Sequence, residues 1–399
     1  MSFLRRASLV LSVASLGCGG SITAGTSDGG TVADSSAPND ASPTPTPVCS
    51  RSQQLCSGVC VDTFDDPANC GACGHACTGA CAMGACVTIG VPPNPGGPPG
   101  DATGSVVFAM NKLYVGDTDR NGVPSQLAWK AYGLNLDGKV TDKTSTDVCT
   151  LAAGAARSTQ TDGNGGIDNS WGENFLLILL TTAGQDFGPK VNQAIASGAF
   201  TTMLKIDHLG TQPSYSPLAA ALFGGGPMTM PPRFDGTDVW PVSSDTVNNG
   251  DVTMPKVVFP ASYMNARVWV SGATSGRITL PLVFSGVTFA MPIDHGVITM
   301  TVDPMNQSAV SGTIAGVIPT EELIAAIKLV AGRISTSLCS GSAFDSIAQQ
   351  IRQASDMIHD GTNIPGVPCD AISIGLGFEA RRVQLGAVVT PVASPDPCH

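Results

Sequence analysis

Between residues 104 and 399, apolar and polar positions alternate in short runs, the spacing of half-buried strands. Val106 to Met110, Leu113 to Val115 and Thr201 to Ile206 are apolar, β-branched runs bounded by glycine or aspartate. Alternation is clearest in Arg267 to Val270, Arg277 to Phe284, Val297 to Val302 and Val310 to Val317. Three stretches change to helical spacing. One runs from Asp168, a predicted N-cap, to Thr182. A second is capped by Thr320 and places Glu321 and Glu322 in its first turn, where the helix dipole favours anions. The third carries Phe344, Ile347, Ile351, Ala354 and Ile358 on one face, the stripe of a core-packing helix. No segment repeats at the period of a solenoid or propeller. The pattern predicts an α+β, β-rich body: a large, mostly antiparallel sheet, sandwich-like, with about three helices. Its length is enough for a core of one or two domains.

Ahead of residue 104 that pattern disappears. Residues 1–17 read as a lipoprotein signal peptide, with Arg5 and Arg6 followed by an apolar run from Ala7 to Leu16. That run is too short to span a bilayer, which takes about 20 residues. Ser15-Leu16-Gly17-Cys18 resembles a bacterial lipobox with Cys18 as the lipidated residue, although Ser15 stands where leucine is usual. Residues 18–48 are Gly, Ser, Thr, Asp, Ala and Pro with almost no large apolar side chain, so burial cannot offset their ordering entropy. They are expected to be a disordered Ser/Thr/Pro tether, stiffest near Pro43, Pro45 and Pro47. Gly25-Thr-Ser27-Asp-Gly29 fits a hydrolase nucleophile pattern, but that motif needs a strand, a sharp turn and a helix, which a tether lacks. Residues 88–103 read as a Pro/Gly linker unable to pack.

Cysteine usage changes the picture most. Cys18 stands alone, and Cys49, Cys56, Cys60, Cys70, Cys73, Cys77, Cys81 and Cys86 crowd into residues 49–87. Cys149, Cys339, Cys369 and Cys398 are scattered over the body. One lipidated cysteine plus two even sets accounts for all 13. Even sets in an exported chain read as disulfides. The module has too little apolar bulk to fold by burial, so bridges worth ~2–4 kcal/mol each would be its main constraint. Its connectivity stays open. In the body, Cys398 is expected to pair with Cys339 or Cys369, leaving Cys149 to the other. Cys70-Gly-Ala-Cys73 lacks the βαβ setting of a redox pair.

Leu55-Cys56-Ser-Gly-Val-Cys60-Val-Asp62, Asp66-Pro-Ala-Asn69-Cys70-Gly-Ala-Cys73-Gly74 and Met83-Gly-Ala-Cys86 resemble the Stig1-type cysteine-rich repeat. Similar stretches occur behind a lipobox and a Ser/Thr/Pro tether in predicted surface lipoproteins of myxobacteria. The resemblance implies a secreted interaction module rather than an enzyme, and carries no binding residue onto this chain.

Charge and composition narrow the partners. Twenty basic residues against 31 acidic ones give a formal charge of −11, and no Lys/Arg cluster offers a nucleic-acid surface. Two loops carry oxygen ligands at alternate positions, as calcium loops do. Asp117, Asp119 and Asn121 precede Gly122 but lack the twelfth-position glutamate. Asp162, Asn164 and Asp168 have Glu173 at that place, but Gly166 and Ile167 break the motif between them. Each loop is half a match, and tight turns between strands are the plainer account of both. His208, His295 and His359 each adjoin an aspartate, but neighbours on a strand face opposite ways. Trp129, Trp171, Trp240 and Trp269 are candidate sugar platforms, although so few large aromatics in a body of this size are expected to be mostly core. Asp235, Asp238 and Trp240 form the most site-like setting for a ligand. The expectation is therefore an exported protein, lipid-anchored at a bacterial outer membrane or cell surface. It has a non-enzymatic binding or structural role toward surface glycans or proteins and needs no cofactor. A calcium-dependent carbohydrate-binding or adhesion module, and a secreted hydrolase with an unassigned carboxylate site, are the alternatives.

Overall fold

The structure is a computed structural model. It describes Cys49 and residues 53–61, 63, 69–75, 80–82, 85–87, 90–183, 187–272, 277–284, 287–334, 336–339, 341–390 and 398. The signal peptide, Cys18, the 18–48 tether and Cys77 lie outside these residues.

Two short antiparallel hairpins build the cysteine module: β1 (Gln54–Cys56) with β2 (Val59–Val61), and β3 (Ala80–Ala82) with β4 (Ala85–Val87). Cys49 bridges to Cys60 and Cys56 to Cys73, and Cys70 is also disulfide-bonded.

The body holds strands β5 (Ser105–Tyr114), β6 (Thr201–Asp207), β7 (Tyr215–Gly225) and β8 (Val239–Ser243). Next come β9 (Val247–Asn248), β10 (Asp251–Pro255), β11 (Val257–Asn265) and β12 (Val268–Val270). The last four are β13 (Ile278–Phe284), β14 (Val287–Val302), β15 (Ser308–Pro319) and β16 (Ala371–Val389). Its helices are α1 (Leu176–Ala183), α2 (Phe187–Ala196), α3 (Thr320–Ile334) and α4 (Ser342–Gln353). The α+β, β-rich class is present. The sheet, however, does not split into the two layers of a sandwich. The path β11-β12-β14-β15-β16-β5-β6-β7 returns to its start, because β7 pairs antiparallel with β11 (Val258 opposite Ala221). Eight antiparallel strands close an up-and-down barrel, which removes their free edges. Strand β8 runs parallel to the end of β16, and β13 forms a hairpin with the first half of β14.

Period-two alternation decides what fills the barrel. Phe108 and Met110 of β5, Leu204 and Ile206 of β6 and Ile372, Ile374, Leu376 and Phe378 of β16 belong to one buried cluster. Helical residues Phe187, Val191, Leu323, Ile327, Phe344 and Ile351 join the same cluster. Apolar side chains thus point inward, the reverse of a lipid-facing barrel. No described helix is long and apolar enough to cross a membrane. The opposite faces of β5 and β6 (Val107, Ala109, Met203) pack with Trp240 and Val242 of β8 in a second cluster.

Three local expectations are corrected. The turn before α1 is capped by Asn169, whose Oδ1 accepts from Gly172 N at 3.0 Å, and not by Asp168. Residues 171–175 form one π turn before α1 begins. Thr320 starts α3 with its hydroxyl bonded to that of Ser355 at 2.6 Å rather than to its own helix. The Pro/Gly linker does pack. Pro92 O accepts from the Tyr263 hydroxyl, Pro93 O from Asn265 Nδ2 at 2.9 Å and Pro98 O from Ser216 N at 2.9 Å. Proline lacks a donor but keeps its carbonyl, so a Pro-rich strap binds well through acceptors.

Candidate functional site

Four short pieces of chain enclose a cleft of about 440 Å³, within the usual range of small-molecule sites. They are the start of β5, residues 382–385 of β16, the 235–237 turn and Gln307. The polar lining is Ser105, Asp235, Thr237, Gln307, Arg382 and Gln384. Val107, Val383 and Leu385 supply apolar surface. Backbone bonds fix these pieces together: Arg382 N donates to Gln307 O at 2.9 Å and Gln384 N to Asp238 O at 2.8 Å. The turn is stiffened from within. Asp238 accepts from Arg233 N at 3.0 Å and Phe234 N at 2.6 Å, while Asp235 Oδ1 accepts from Thr237 N at 3.0 Å and from its hydroxyl at 2.5 Å.

Charge in the cleft is uneven. Asp235 pairs with Arg233 at 3.0 Å, and its bonds to Thr237 hold it below the usual carboxylate range. Arg382 is half-buried, and among the described residues its side chain has neither hydrogen-bond nor ion-pair partner. The lining contains one carboxylate and no histidine. No acid pair and no Ser–His pair is therefore at hand for hydrolysis.

Of the ligand-site residues expected from sequence, only Asp235 faces the cleft. Asp238 is spent on the turn. Trp240 is fully buried, its Nε1 donating to Gly226 O at 2.9 Å, and it belongs to the apolar layer that also holds Val107 and Val383. Trp129, Trp171 and Trp269 are buried too, so the sugar-platform reading of the tryptophans fails: each ring serves the core. Arg382, Gln384 and Gln307 were not foreseen. Nothing in the sequence marks them, because strand register alone brings them together.

Most carboxylate groups of the two calcium-like loops accept bonds from the protein, while Asp117 Oδ1 is buried without a partner among the described residues. Asp117 Oδ2 accepts from Gly188 N at 3.0 Å and so caps α2 from a distant loop. A Cβ on Gly188 would lie 2.4 Å from that carboxylate, so only glycine allows the approach. Asp119 Oδ1 accepts from Asn121 N and Val123 N at 2.8 Å each, building the turn that Gly122 completes with φ +79°. Asp162 accepts from Thr141 N at 2.5 Å and from its hydroxyl at 2.8 Å, and Asp168 Oδ2 from Leu136 N at 2.6 Å. Asn164 contributes its backbone amide to Lys130 O at 3.0 Å, and Glu173 accepts from Asn174 at 3.4 Å. Among the described residues no three His, Cys, Asp or Glu side chains are placed to hold a metal.

The second loop instead belongs to a buried acidic network. Asp356 accepts from Ser373 N at 2.8 Å and from its hydroxyl at 2.5 Å. Ser373 Oγ in turn accepts from Ser170 N at 2.8 Å. Desolvation pushes Asp162 up to about 6, and Glu173 and Asp356 up to about 7. Burial, reinforced by Asp137 and Asp162, raises Asp168 well above the carboxylate range. The folded state thus holds protons that the unfolded chain releases near pH 4, so unfolding free energy falls as pH rises. For Asp356, wholly buried, the shift corresponds to ~4 kcal/mol. His359, raised by its 2.7 Å bond to Asp370, acts in the same direction. The carboxylates held low, Asp303 and Glu321 among them, give up their contribution only at more acid pH. Thermal midpoints are therefore expected to be higher at pH 5 than at pH 8, by at least ~5 °C given ~2–4 °C per kcal/mol. A maximum at pH 7–8 in calorimetry would remove the network from this account.

Two of the His–Asp pairs meet at the surface. A Cβ on Gly361 would lie 3.5 Å from the His295 ring, while Arg277 links Asp294 at 2.7 Å to Glu322 at 3.0 Å. His208 is remote from them, bonded to Ala102 O at 2.9 Å. In the body, Cys149 bridges to Cys369 and Cys339 to Cys398, so the C-terminal tail is tied to the segment after α3.

Residues 36–89 match the Stigma-specific STIG1-like protein family, in agreement with the repeat read from the cysteine spacing. The match covers the module and the end of the tether, and the barrel lies outside it. Neither a curated protein nor a solved structure matches the chain.

Proposed function

We propose that this protein is a non-enzymatic, lipid-anchored surface protein that binds a polar, carbohydrate-like ligand in the barrel cleft. The observation that carries the reading is the cleft itself: converging amide, hydroxyl, guanidinium and carboxylate groups beside apolar wall, with no pair of groups suited to catalysis. The four described disulfides support an oxidising compartment, and the lipobox-like Cys18 supports a membrane anchor through an N-terminal lipid. The STIG1-like module, behind its Pro-rich tether, supports an interaction role outside the cell. The raised carboxylates, those of the Asp356 network and Asp117 beside α2, all lie outside the cleft, which disfavours the hydrolase alternative. The calcium alternative loses its loops to backbone bonding.

The experiment is a panel of soluble oligosaccharides, read by thermal unfolding of the full chain and of Ser105→Trp. Ser105 is exposed at the rim, so an indole there fills the cleft without entering the core. A ligand at 100 times its dissociation constant adds ~2.7 kcal/mol. One class should raise the wild-type midpoint by several degrees and leave Ser105→Trp unmoved. Equal shifts in both proteins, or none across the panel, would sink the cleft as the site.

A further inference from the structure

Resting on that reading, we infer that the cleft selects a saccharide carrying a carboxylate, such as a uronic acid, with Arg382 as the group that recognises the charge. Among the described residues Arg382 is a cation without a counter-ion, in a chain of formal charge −11. Of the other cations around it, Arg233 is taken by Asp235 at 3.0 Å and Lys205, opposite Val107, by Asp207 at 2.7 Å. A guanidinium presents paired donors that match a carboxylate bidentately.

The surroundings argue for a sugar around that charge. Gln384 Nε2 reaches Gly236 O at only 3.4 Å, a long bond that a better acceptor can replace. Gln307 Oε1 lies 3.6 Å from the Cβ position of Gly236, so a second amide borders the same space. Amides on two sides, with the Thr237 hydroxyl and the Asp235 carboxylate, offer both donors and acceptors. Ring hydroxyls need that mixture, and a bare inorganic anion does not.

The test is a calorimetric titration of the full chain with trigalacturonate, maltotriose and inorganic phosphate. Trigalacturonate should bind at least ~10-fold more tightly than maltotriose, the value of one charged hydrogen-bonding contact. Arg382→Ala should remove that preference, bringing trigalacturonate to the affinity of maltotriose, and Arg382→Lys should restore part of it. The unfolding midpoint of each variant checks folding directly. Added salt should weaken trigalacturonate and spare maltotriose. Equal affinity for the two sugars, both abolished by Ser105→Trp, would overturn the inference and leave the binding cleft standing. Tight trigalacturonate binding that survives Arg382→Ala would also overturn it. Phosphate binding as tightly as the sugar would mean an anion site without sugar recognition. No binding of any probe would take both readings down together.

Discussion

Asn169→Ala is expected to destabilise the barrel by ~3–6 kcal/mol, although residue 169 touches neither the cleft nor the surface. Its Nδ2 donates to Trp129 O at 3.0 Å, Tyr132 O at 2.9 Å and Gly375 O at 3.0 Å. Its Oδ1 accepts from Gly172 N and Gly375 N, both at 3.0 Å. One side chain thus ties the 128–134 loop, the start of the first helical segment and the middle of β16. Alanine would strand two buried amides, each costing ~1–3 kcal/mol, and leave a cavity besides. Asn169→Asp should do no better, since it points oxygens at three carbonyls. Denaturant midpoints would measure the loss. A change under ~1 kcal/mol would mean that water or a rotated loop replaces these bonds and that the junction is not the keystone described.

Breaking the Cys149–Cys369 bridge, as the Cys149→Ala, Cys369→Ala double variant, should cost ~3–5 kcal/mol and ~10 °C in midpoint. The bridge spans 220 residues, the longest loop closed by any described disulfide, so the unfolded chain gains most when it is removed. In the folded state its surroundings hold together without it: Thr150 N donates to Val367 O at 2.7 Å and Cys369 N to Thr150 O at 2.9 Å. The native structure should therefore persist below the transition, with saccharide binding intact. Calorimetry of the double variant checks the first part, and loss of the native fold at 25 °C would contradict it.

The sequence announces strands where apolar and polar side chains alternate cleanly, as in β12, β13 and β15, and where β-branched apolar runs meet glycine or aspartate, as in β6. Strand β5 joins two such runs, and β14 begins at Val287, ahead of its predicted stretch from Val297. The longest strand, β16, escaped. Its inward positions Ile372, Ile374, Leu376 and Phe378 alternate with Ser373, Gly375 and Gly377, small residues that read as turn or linker. Their smallness is steric. A Cβ on Gly375 would lie 2.2 Å from Tyr132 O, and one on Gly377 2.5 Å from the Tyr132 ring. Glycine makes room here for a second layer of chain, and a lone sequence does not record what needs the room. Helix α2 was hidden by Gly188 and Pro189, both allowed in a first turn. Barrel closure rests on the β7–β11 pairing, a fact about register that no single strand contains.

The site was less legible than the fold for the same reason. The cysteine counts predicted the bridges and left their partners open. Asp235 was visible because Asp, Gly and Thr cluster in one turn, while Arg382, Gln384 and Gln307 come from strand and turn positions far along the chain. The aspartates weighed as calcium ligands serve turns and a cap, and the tryptophans weighed as platforms are core. Sequence allowed both readings because the same chemistry suits exposed and buried settings alike.

The central claim is a cleft that holds its ligand without altering it. The most direct measurement incubates the full chain with a mixture of carboxylated and neutral oligosaccharides, then compares bound and free fractions by mass spectrometry. The account predicts a bound fraction enriched in intact carboxylated sugar, with no shorter products in either fraction. Accumulating fragments, or a bound fraction of the same composition as the free one, would contradict it.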